Sequence, residues 1–115
     1  MTTLPDLLSH VQAHVRSLLG EDDPEFVVDL VETFAATARQ ATDDAEAAAS
    51  VHDTGALAAA AHALKGSASN IGLAALAGRW DMVERSARQG VEAEAHLGRA
   101  LAETQEAVEV LSEAV

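Results

Sequence analysis

The chain contains no cysteine. That excludes disulfides, thiolate nucleophiles and thiolate metal sites. Aromatic residues number three, Phe26, Phe34 and Trp80, so the apolar 49% is largely aliphatic, much of it alanine. Proline occurs twice, at Pro5 and Pro24. No stretch alternates apolar and polar residues in the β-branched manner of strands. Cations are also few: Lys+Arg total 7 against 19 for Asp+Glu, a net charge of −12. Nucleic acid and anionic lipid both call for clustered cations, so neither is expected as a partner. No run approaches the roughly 20 apolar residues of a membrane span. The N-terminus, with Asp6 and no basic start, does not read as a signal peptide. A cytoplasmic location is the default expectation.

What is present is alanine at helix-forming density, because alanine gives up no side-chain entropy on ordering. The expectation is an all-α chain, and 115 residues make one domain. Five helices can be read. The first spans about Leu4 to Leu19, with Thr3 as cap, Pro5 in the first turn and Gly20 just past the end. Its stripe is Leu4, Leu7, Leu8, Val11, Val15 and Leu18. The second follows Asp23 as N-cap and Pro24 at N1, runs to about Ser50, and buries Phe26, Val27, Leu30, Val31, Phe34 and Ala38. The third runs from Asp53 or Thr54 to about Asn70, the fourth from Leu73 to Gln89, and the fifth from about Val91 to Ala114. The inner stripe of the fifth is Leu97, Leu101, Thr104, Val108 and Leu111. Short links make successive helices antiparallel neighbours. The architecture expected is an antiparallel four-helix bundle over residues 21–115 with an additional N-terminal helix over 1–20.

Five histidines compete for attention, and the third helix separates one from the rest. On a helical wheel, Ala61, Leu64, Ala68 and Ile71 fall within roughly 40° of Leu57, while His62, Gly66 and Ser69 fall on the far side at roughly 120–180°. Lys65 lies between, at roughly 80°. His62 therefore points to solvent beside a lysine and a glycine. Glycine inside a helix costs about 0.5–1 kcal/mol relative to alanine, and residues i and i+4 are surface neighbours. Gly66 thus leaves one flank of the imidazole open to a bulky partner, and Lys65 brings a point charge. A nucleophilic nitrogen, an open flank and an ammonium group together suit a phosphoryl group. The bland alternative is a surface histidine beside an incidental Gly-Ser pair. His10 and His14 stand four apart on the first helix, but no third metal ligand accompanies them, so no metal site is expected. His52 and His96 receive no role, and Ser67 and Ser69 have no acid–base partner. Trp80 fits a core anchor.

The run from His62 to Gly72, His-Ala-Leu-Lys-Gly-Ser-Ala-Ser-Asn-Ile-Gly, resembles the signature of histidine-containing phosphotransfer (HPt) domains, roughly H-x-L-K-G-S-x-x-x-x-G, at every fixed position. Phe34, Ala61, Leu76, Glu84, Arg88 and Gly90 also sit where that family carries similar residues. The resemblance spans about Gly20 to Val108. It implies a four-helix bundle, monomeric, with no ATP site and no kinase activity of its own. It implies a carrier moving a phosphoryl group on His62 between aspartates of receiver domains, those of a hybrid histidine kinase and of a response regulator. The Mg2+ that such chemistry uses belongs to the receiver, so this chain carries no cofactor. His62 Nε2 is then the nucleophile, and Lys65 offsets phosphoryl charge. Glu84, on the edge of the fourth helix's stripe (Leu73, Leu76, Ala77, Trp80, Val83, Ala87), would hold the other ring nitrogen and favour the neutral ring protonated on Nδ1. Arg88 would add positive charge, and the plain alternative is an i,i+4 Glu–Arg surface pair worth about 0.3–0.5 kcal/mol. A receiver would dock over Ala58, Ala59, Gly66 and Ser69, with the acidic surface elsewhere steering partners.

Two other readings share this fold: a chemotaxis-kinase-type domain phosphorylated directly by a kinase with ATP, and a non-catalytic helical adaptor. An end at Val115 with no kinase after it would weigh against the first if this is the whole protein. The intact His62, Lys65 and Gly66 weigh against the second. A histidine-kinase dimerisation domain is disfavoured by Ala63 and by Lys65-Gly66, where that class carries an acid and then a proline.

Overall fold

The computed structural model describes residues 4–91 and 94–115, with side chains described from residue 7 among the first helix's residues. The expected cap at Thr3 and the side chains of Leu4 and Pro5 lie outside the described residues. Five helices follow in order: α1 (Leu4–Leu19), α2 (Pro24–Ser50), α3 (Thr54–Asn70), α4 (Ala74–Arg88) and α5 (Glu94–Ala114). Among the described residues there is no strand. No described helix is long and apolar enough to cross a membrane.

Local chemistry sets the ends. Asp23 and Asp53 cap α2 and α3 by accepting from the Phe26 and Ala56 backbone N–H groups at 3.0 Å, and Pro24 occupies the first turn of α2. Three helices stop in the same way, with a residue at positive φ and two backbone N–H groups turned back onto the last carbonyls. Gly72 (φ 86) and Leu73 close α3 on Ser69 and Ala68, and Gly90 (φ 69) and Val91 close α4 on Ala87 and Ser86. His52 (φ 55) and Asp53 close α2 on Ala49 and Ala48. This gives His52 a structural place that its sequence context did not suggest. It also corrects the fifth helix: Val91 is exposed and non-helical because its N–H completes the end of α4, and α5 starts at Glu94.

Helices α2 to α5 pack in a closed ring, α2 on α3, α3 on α4, α4 on α5 and α5 on α2. Their shared core is Val31, Phe34, Leu64, Ile71, Trp80, Val83 and Leu111, with alanines between the larger side chains. Trp80 is fully buried and donates its indole N–H to Thr104 at 2.8 Å; the Thr104 hydroxyl donates to the Ala100 carbonyl at 2.7 Å. The fifth helix thus pairs its one buried hydroxyl with the fourth helix's only indole.

Helix α1 packs on α2 and α5 through Val11 and Val15. It also reaches the α3–α4 turn, where a Cβ on Gly72 would come within 2.5 Å of the His14 Cβ. These contacts all lie at the end of the ring where α2 begins and α5 finishes. Leu18 departs from the expected stripe. It is 59% exposed, as is much of Leu19 beside it in the last turn of α1.

Candidate functional site

Helix α3 is flanked by α2 and α4, so its buried arc is wider than one stripe. Leu57, Ala61, Leu64 and Ala68 are buried, and so are Ala58 and Ala60 on the two sides. Ala58, expected as a docking residue, is only 3% exposed and belongs to the core. Ala59, Gly66 and Ser69 are exposed, as is His62 near the middle of the helix. A Cβ placed on Gly66 would meet nothing within 4 Å. Among the described residues no contact therefore requires glycine there.

The His62 side chain is 66% exposed, yet one edge of its ring turns toward α4. Nδ1 lies 3.1 Å from Oε2 and 3.3 Å from Oε1 of Glu84. Glu84 is 8% exposed and carries more than this one contact. Lys65 Nζ stands 2.8 Å from its Oε1, and Arg88 donates to Oε2 from Nη2 at 2.7 Å and Nε at 3.0 Å. The Lys65 ammonium, followed by the Arg88 and His62 hydrogen bonds, holds the Glu84 carboxyl down at about 2, against the opposing effect of burial. Glu84 is therefore ionised at neutral pH and can only accept. The contact with His62 is a hydrogen bond when the ring carries its proton on Nδ1, and Nε2 then keeps a free lone pair facing solvent.

Two residues not singled out from the sequence complete the cluster. Asp81 accepts from Lys65 at 3.2 Å and pairs with Arg85 Nε at 2.9 Å. Glu84 first and Asp81 second raise the Lys65 ammonium above its ordinary value. Asp81, Glu84, Arg85 and Arg88 stand at i, i+3, i+4 and i+7, one face of a helix. That spacing was the available signal for Asp81 and Arg85, but nothing in the sequence says which neighbouring helix the face meets. Lys65, the chain's only lysine, thus sits between two carboxylates of α4. Arg88 reaches Glu84, with no hydrogen bond to His62 among the described residues.

His10 is exposed, His14 is half-buried, and His96 is exposed on α5. Among the described residues no group of three or more His, Cys, Asp or Glu could hold a metal ion. The arrangement as a whole presents an exposed imidazole, a buried anion against its Nδ1 edge, and two cations, Lys65 and Arg88, on that anion.

A family model described as "Hpt domain" matches residues 29–114. No curated protein and no solved structure matches the chain.

Proposed function

The chain belongs to the Hpt domain family, whose members serve histidine phosphotransfer in phosphorelays, and from that premise we propose that His62 is the residue that carries the phosphoryl group, between aspartates of two receiver domains. The observation that carries this reading is the exposed His62 ring with Nδ1 committed to an ionised, buried carboxylate. A ring so held offers its Nε2 lone pair outward in one tautomer and one orientation, without a search over rotamers at the moment of attack.

In the proposed step, the Nε2 lone pair attacks the phosphorus of a receiver's aspartyl phosphate. The N–P bond forms, the acyl P–O bond breaks, and its electron pair leaves with the aspartate carboxylate. Lys65 and Arg88 stand on the carboxylate that the ring contacts, Arg85 joins the same network through Asp81, and their positive charge favours the incoming negative charge. The divalent cation such a step uses is assigned to the receiver, not to this chain. Gly66 and Ser69 form the exposed strip over which the receiver docks, with Ala59 at its edge.

The decisive experiment is transfer of labelled phosphate from phosphorylated receiver domains to the wild-type chain and to His62→Gln. Wild type is expected to take up label and the variant none. Equal labelling of the two would dispose of the assignment. Label appearing only with a kinase catalytic domain and ATP, and never from a receiver, would instead support the directly phosphorylated kind of domain.

A further inference from the structure

We infer that Glu84 keeps the Nδ1 proton on His62 after the ring is phosphorylated, so that the phosphoryl group enters and leaves this carrier without any proton transfer. The inference rests on the carrier reading above and concerns the state that follows the first transfer.

When the Nε2 pair closes onto phosphorus, the ring still holds its Nδ1 hydrogen and becomes a phosphorylated imidazolium. In water a cation of this kind readily sheds that hydrogen. Here the N–H points at a carboxylate 3.1 Å away that is 8% exposed. Such a bond is charge-assisted and roughly twice as strong as a neutral one. Glu84 does not take the proton itself, since Lys65 and Arg88 hold its carboxyl at about 2.

The charge of the whole cluster points the same way. The ion-pair network joined to the ring through Glu84 holds three cations, Lys65 from α3 with Arg85 and Arg88 from α4, and two carboxylates, Asp81 and Glu84. Among the described residues no charged group of α1, α2 or α5 pairs with His62 or Glu84. One positive charge is therefore in excess before transfer. The phosphoryl group brings about two negative charges near neutral pH. A ring that keeps its proton returns the cluster to neutrality, whereas a ring that loses it leaves a net negative charge.

The consequence appears at the second transfer. The P–N bond breaks and its electron pair returns to Nε2. From a ring protonated on Nδ1 the leaving group is neutral imidazole, already in its starting tautomer. From a ring that had lost the proton it would be an imidazolate anion, a far poorer leaving group. Glu84 is thus a positioning residue whose charge, and not only its shape, sets the reactivity of the phosphorylated state.

The test uses the full chain with 15N-labelled histidine, phosphorylated by phosphoramidate so that neither receiver nor kinase is needed. Ring 15N shifts report the protonation of Nδ1, and loss of the phosphohistidine signal reports its decay. In wild type Nδ1 is expected to stay protonated from about pH 6 to 8, where free histidine titrates, with a decay rate that stays flat. In Glu84→Gln the proton is expected to leave within that interval, and decay at its upper end to slow about tenfold, the scale of exchanging a charge-assisted hydrogen bond for a neutral one. A wild-type Nδ1 that is unprotonated at about pH 8 overturns the inference alone, as does identical decay in a folded variant. Failure of His62 to accept phosphate at all overturns the carrier reading and this inference with it. Should the variant fail to fold, the wild-type ring shifts decide the matter unaided.

Discussion

At the scale of single residues, the site depends on a carboxylate that is buried, ionised and shared by three partners. Glu84 sits well below the ordinary carboxylate range in the folded chain, at about 2 against 4.5. The folded value is the lower one, so Glu84 contributes stability that is fully present above about 4.5. That contribution is lost as pH falls from there toward about 2. Glu84→Gln is expected to flatten the fall in stability over that window, measured by denaturant unfolding at a series of acid pH values. Lys65→Ala is expected to slow phosphoryl uptake roughly tenfold, the scale of one charge-assisted hydrogen bond, while the chain stays folded by circular dichroism. Unchanged transfer rates would remove Lys65 from the mechanism. His62, Lys65 and Glu84 were legible in the sequence through the third helix's wheel and the family pattern. Asp81 and Arg85 were not, because a charged helix face is usually just solvated, and only packing shows what it meets.

At the scale of elements, two glycines separate function from architecture. Gly72 has φ 86, and a Cβ there would press on His14 of α1. Gly72→Ala combines left-handed strain with overpacking and is expected to cost about 2 kcal/mol or more, seen as a lower denaturant midpoint. Gly66 lies in an ordinary helical stretch with open space where its side chain would be. Gly66→Ala is expected to raise stability by about 0.5–1 kcal/mol. If the receiver docks there, the same change slows transfer from a receiver but leaves labelling by phosphoramidate intact. Transfer from a receiver at the wild-type rate would take Gly66 out of the docking strip. Loss with both donors would place its role in the chemistry instead. Capping and periodicity located the helices to within a few residues. The start of α5 was missed because Val91 continues an apolar pattern while its N–H serves the end of α4.

At the scale of the whole molecule, the ring of four helices converges on one tryptophan. Trp80 is fully buried and its N–H depends on Thr104, and among the described residues no buried side-chain polar atom lacks a partner. Thr104→Val keeps the shape but strands the indole N–H, so a loss of about 1–3 kcal/mol is expected. Trp80 is the only tryptophan, so its fluorescence and far-ultraviolet circular dichroism should report one coincident transition in wild type. Separate transitions would show that the ring does not unfold as a unit.

The five helices, the Asp23 and Asp53 caps and the exposed side of His62 follow from sequence alone, since periodicity and capping are local properties of the chain. So does the family, because its motif is contiguous. Tertiary structure decided what depends on neighbours. Ala58 lies under the flanking helices, and Leu18 extends past its cover. Glu84 is buried while still ionised, because Lys65 comes to it from another helix and Arg88 from one turn along. A helical wheel gives the direction a side chain leaves its own helix. It does not give the charges that the next helix sets around it, and here α4 brings the Glu84 carboxylate to the Nδ1 edge of His62.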